Sequence, residues 1–150
     1  MSEPDGLVID ASVAVKWHLR DEDLIDEASL LLRRYLADEV TLAAPAFIRY
    51  EIAQTLERAR RDNRISEERA AVELQSFLGF AIHSPEDSDS LISLAQRIAR
   101  ETGVSVYDAL YLAYAQGREF ALVTDDQGLV RGAASYDVRV HRLADIAEVL

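Results

Sequence analysis

Short apolar runs alternate with longer amphipathic stretches along the whole chain. Leu7, Val8 and Ile9 read as a buried strand closed by Asp10, and a helix begins at Ala11. Residues 21–38 place Leu24, Ala28, Leu31, Leu32 and Tyr35 at helical spacing, and residues 40–43 form a second strand before Pro45. A long helix is predicted over 46–61 and another over 66–78, the latter opened by Ser66 as cap. Residues 80–83 read as a third strand. Residues 87–101 form an amphipathic helix on Leu91, Leu94, Ala95, Ile98 and Ala99, stopped by Gly103. The apolar helix 106–115 follows, and residues 120–124 are the clearest strand. A turn and short helix start at 125–129, residues 138–140 make a last edge strand, and residues 143–150 a terminal helix. This alternation predicts a single α/β domain over residues 1–150, with three α/β/α layers around a mainly parallel sheet.

The helix 106–115 carries one charge, Asp108, with no Lys, Arg or His within four residues of it. A carboxylate in such surroundings neutralises, finds a partner or holds a metal. Three more acids stand out by position. Asp10 ends the first strand, where open α/β sheets place ligands, although Asp10 or Ser12 capping the next helix is an equal reading. Asp126 follows the strand 120–124. Glu51 lies early on its helix, with Phe47 and Ile48 on its face, and alone it reads as a surface residue. Four carboxylates converging on one crevice repel unless a hard cation joins them, and Mg²⁺ or Mn²⁺ suits such a donor set. These ions serve phosphoryl chemistry.

Composition narrows the picture. No Cys is present, which excludes disulfide frameworks, zinc ribbons and thiol catalysis. The first residues lack the cationic start and apolar core of a signal peptide, and no run is long enough to span a bilayer, so a cytoplasmic protein off the membrane is expected. The net charge of −11 argues against a protein that coats nucleic acid. It does not argue against an enzyme that meets phosphate through a metal ion. Arg58, Arg60, Arg61 and Arg64 form the one basic cluster, serving a helix end, a solvated face or an RNA backbone. Lys16, Arg20 and Arg131 are candidate phosphate contacts. His18, His83 and His141 read as ordinary surface or strand residues. Tyr107, Tyr111 and Tyr114 form a stripe better suited to core or subunit packing than to base stacking.

Four segments in order, Val8–Ser12, Pro45–Ala53, Ser105–Ala113 and Leu122–Asp126, resemble the PIN domain, and more narrowly the VapC-type toxins of prokaryotic toxin–antitoxin pairs. The resemblance runs from Leu7 to about Val140. It implies a metal-dependent endoribonuclease, usually a homodimer, held inactive by a small antitoxin. Carried over by position, Asp10, Glu51 and Asp108 match the family's most regular acids, and Thr124 with Asp126 matches a Thr-x-Asp pattern. Asp125 leaves that register open. Ser12 and Thr124 match hydroxyls that tie down the acids or a water. Two other readings stand beside this one. A phosphotransfer or phosphatase domain wants a second Asp where Ser12 stands, or a late Lys that the chain lacks; a non-catalytic binding module would keep the fold alone.

Overall fold

A computed structural model describes residues 6–150; residues 1–5, on which the absence of a leader was read, lie outside it. Strand β1 (Gly6–Ile9) leads into the short helix α1 (Ala11–Ala14), which tightens into a 3₁₀ turn over Val15–Trp17. Then come α2 (Ile25–Leu36), β2 (Thr41–Ala43), α3 (Ile48–Arg61), α4 (Glu67–Gly79), α5 (Asp89–Thr102) and α6 (Val106–Arg118). The chain closes with β3 (Ala121–Thr124), α7 (Gln127–Ala133), β4 (Val140–Arg142) and a 3₁₀ helix, Leu143–Glu148. The four strands pair in the order β2-β1-β3-β4, and every pairing is parallel. Strands β1 and β3 are buried along their whole length, as the centre of a sheet covered on both faces requires. The connection from β1 to β2 runs one way along the sheet and those from β2 to β3 and from β3 to β4 the other, which under the right-handed crossover rule puts helices on both faces, giving three layers.

The apolar helix predicted near the middle of the chain is α6. Every residue from Ala109 to Ala115 is buried, and the helix packs on α5, β1 and β3. That position explains a sequence almost without polar residues. The helix before it stops at Gly103, whose φ of +83° is the left-handed conformation glycine adopts freely. Ser66 caps α4 as expected, its Oγ accepting from Arg69 N at 3.0 Å.

Several expectations need correction. Residues 80–83 do not form a strand. Helix α4 runs on to Gly79, Ala81 turns through φ +55°, and one parallel bridge between Ala44 and His83 is all that remains. The last strand lies at Val140–Arg142, two residues later than predicted, and the terminal helix is 3₁₀. His18 is a core residue rather than a surface one. It is 3% exposed, with Nδ1 2.9 Å from Glu73 Oε1 and its ring against Phe77 and Phe80. No described helix is long and apolar enough to cross a membrane.

Candidate active site

Ile9 pairs with Val123, so the next residues, Asp10 just beyond β1 and Thr124 at the end of β3, stand side by side. Here the connections diverge, with β2 on one side of β1 and β3 on the other, and a crevice opens beyond the strand ends. Asp10 lies at its floor, 5% exposed. Although it heads α1, its side chain does not cap that helix. Instead Ser12 Oγ donates to Oδ1 at 2.6 Å and Thr124 Oγ1 donates to Oδ2 at 2.6 Å. Each hydroxyl has a single proton, so each acts toward the next loop as an acceptor: Ser12 from Asp125 N at 2.9 Å, Thr124 from Asp126 N at 3.0 Å. Burial raises the Asp10 carboxyl to about 7. The two hydroxyls oppose that rise, and Glu51 and Asp126 add to it by repulsion.

Glu51 stands in the first turn of α3, half-buried, and accepts a 2.5 Å hydrogen bond from Tyr111 Oη. Burial, Asp108 and Asp126 raise its carboxyl, while the tyrosine bond lowers it. Tyr111 is 1% exposed, and burial with Glu51 beside it holds the phenol well above its ordinary range, so it remains a donor. Asp87 fixes the start of α3, its carboxylate accepting from Ala46 N at 2.7 Å and Phe47 N at 3.0 Å. Asp108 lies in the first turn of α6, behind the cap Ser105. It is half-buried, raised first by burial and then by Asp126.

The adjacent acids Asp125 and Asp126 divide. Asp126 caps α7, Oδ1 accepting from Leu129 N at 3.1 Å, and is the acid whose charge reaches Asp10, Glu51 and Asp108. Asp125 turns away to Lys16, whose Nζ is 3.1 Å from its Oδ2 and 2.7 Å from Asp23 Oδ1. Lys16 is 4% exposed and held by carboxylates, which corrects the expectation that it contacts phosphate. Arg20 opens onto a different cleft with His18, Arg64 and Arg69. In the basic cluster, Arg60 pairs with Glu57, and Arg64 pairs with Asp21 and Glu22.

Asp126 thus acts on Asp10, Glu51 and Asp108, and Glu51 feels Asp108 and acts on Asp10. Among the described residues, however, no three acidic or histidine side chains already form a metal-holding group. Sequence reasoning missed Tyr111, Asp87 and the pairing of Lys16. A hydroxyl one helical turn beyond Asp108 was the available signal for Tyr111.

The family model described as the PIN domain matches residues 7–134. The chain belongs to the PIN domain family. No curated protein matches this PIN domain in sequence. Among solved structures, it is similar to PAE2754 from Pyrobaculum aerophilum, at 23% identity and TM-score 0.69, over 97% of this chain and 88% of that one. It is similar to VapBC2 from Rickettsia felis, solved with a DNA fragment from their promoter, at 14% identity and TM-score 0.67, over 91% and 98%. FitAcB from Neisseria gonorrhoeae aligns at 17% identity and TM-score 0.65, over 92% and 98%. At these identities the likeness is one of fold.

Proposed function

We propose that this PIN domain is a divalent-metal-dependent endoribonuclease hydrolysing RNA phosphodiesters, and the toxin of a toxin–antitoxin pair. The observation that carries the reading is Asp10: a buried carboxylate at the sheet's switch point, held by two hydroxyls and facing acids rather than cations. The fit to Mg²⁺ or Mn²⁺ lies in the donors, all carboxylate oxygen, with the Asp10, Glu51 and Asp108 carboxyls raised by burial and by neighbouring acids, rather than in a preformed cage. Asp10, Glu51, Asp108 and Asp126 would hold it. A bound dication supplies the charge that draws in a phosphate and the acidity that activates a water.

The chain's own part is to position. Ser12 and Thr124 engage both Asp10 oxygens, and the α7 cap pins Asp126. Tyr111 holds Glu51 Oε1 and leaves Oε2 as the oxygen to take a proton from the attacking water. Asp125 stays paired with Lys16, supporting the loop. A small antitoxin with a basic segment would suit a protein of net charge −11, and the likeness in fold to VapBC2 and to a toxin–antitoxin complex from Klebsiella pneumoniae supports that partner; the homodimer is proposed on the family resemblance alone.

Cleavage of single-stranded RNA by the purified protein in Mn²⁺, and its loss in EDTA, test the reading. Asp10→Asn is expected to lower cleavage by at least 100-fold with an unchanged circular dichroism spectrum. Full cleavage by folded Asp10→Asn protein refutes the assignment.

A further inference from the structure

Beside the acids, α3 and α6 leave aromatic rings in solvent. Phe47 and Tyr107 lie nearly parallel, with centroids 5.1 Å apart and 12° between planes, and Tyr50 leans on Phe47 at 6.2 Å. Tyr50 is 65% exposed and Tyr107 60%. Core packing accounts for Tyr111 and Tyr114 but not for these two, so the predicted tyrosine stripe splits. Tyr50 lines one hollow with Glu51, and Tyr107 is the residue before Asp108 in the first turn of α6.

Two cations stand beside these rings. The Arg49 guanidinium is 5.7 Å from the Tyr50 ring centroid, and Arg58 lines one hollow with Phe47, Tyr50, Glu51 and Gln54. Arg34, Arg60, Arg64 and Arg69 are each tied to carboxylates, whereas Arg49 and Arg58 enter no ion pair among the described residues. In a chain of net charge −11, two cations without an ion-pair partner among the described residues thus stand beside open rings.

We propose that Tyr50 and Tyr107 form a stacking ledge for a base of single-stranded RNA next to the scissile phosphate, with Arg49 and Arg58 meeting flanking phosphates. The inference rests on the ribonuclease reading above and assigns the residues that seat its substrate. Exposed rings interleaved with cations are what an unpaired strand binds, because every base has a π-face and every linkage a charge. A base inside an A-form helix offers no such face. A second copy seated here would need roughly 800 Å² per partner with a charge-poor centre, and this ledge is bordered by Glu51, Asp108, Arg49 and Arg58.

Steady-state cleavage of a single-stranded oligoribonucleotide in Mn²⁺ tests the ledge with Tyr50→Leu, Tyr107→Leu and Tyr107→Phe. Each leucine variant is expected to raise KM roughly 10- to 100-fold with kcat nearly unchanged, and phenylalanine to restore KM. An abasic residue at the stacked position should erase the difference between Tyr107 and its leucine variant. The Mn²⁺-induced rise in melting temperature should be the same for all, which shows the variants folded with the acids intact. Unchanged KM in the leucine variants, with RNA still cleaved, overturns the ledge and leaves the ribonuclease standing. A leucine variant that sediments as a smaller species, with KM tracking that change, makes this face a subunit contact and overturns the ledge too. If no variant and not the wild type cleaves RNA in Mn²⁺, the ribonuclease reading fails and the ledge falls with it.

Discussion

At the scale of single residues, Tyr111 engages one oxygen of Glu51 and, on the function proposed above, leaves the other for chemistry. Its hydrogen bond favours the charged carboxylate, so its removal raises the Glu51 carboxyl further above the ordinary glutamate range. Tyr111→Phe is therefore expected to move the acidic limb of the pH–rate profile to higher pH and to lower kcat near pH 6 by roughly 10-fold, with Mn²⁺ uptake retained. A profile superposable on that of wild type would show that the bond is only structural. Asp10 was legible in the sequence because it closes an apolar run, where the fold class itself places a site, and Ser12 and Thr124 through the motifs that resemble the PIN domain. Tyr111 was not, because its role depends on α6 crossing α3 across 60 residues of sequence. Nor was the split between Asp125 and Asp126, which turns on a buried lysine more than a hundred positions away.

At the scale of elements, α7 carries Asp126 at its cap and must lie close to the loop before α6. A Cβ added at Gly132 would come within 2.2 Å of Val104 Cγ1. Gly132→Ala is expected to lever α7 outward, costing about 1–3 kcal/mol in chemical denaturation and weakening Mn²⁺ binding. Unchanged stability would mean that Val104 simply turns aside. The long helices were readable because their apolar spacing persists over several turns. Residues 80–83 misled because four mixed apolar residues fit a strand as well as the tail of a helix, and only the left-handed turn at Ala81 separates the two.

For the whole molecule, the acids of the site work against folding when no cation joins them. Asp10 is raised from 3.8 to about 7, so it binds a proton more tightly folded than unfolded, and stability falls as pH rises between those values. By pH 8 the cost reaches roughly 4 kcal/mol. Asp10→Asn should accordingly raise the melting temperature in EDTA at pH 8, have little effect at pH 4, and abolish most of the stabilisation that saturating Mn²⁺ gives the wild type. A lower melting temperature for Asp10→Asn at pH 8 would contradict this balance. Lys16 carries a separate consequence. It is the sole lysine of the chain, with its Nζ beneath Asp23 and Asp125 and its side chain 2% exposed. An amine-acylating dye thus meets one side-chain target, shut in the native protein, and its rate of attachment there becomes a clock for how often the loop beyond β3 swings open.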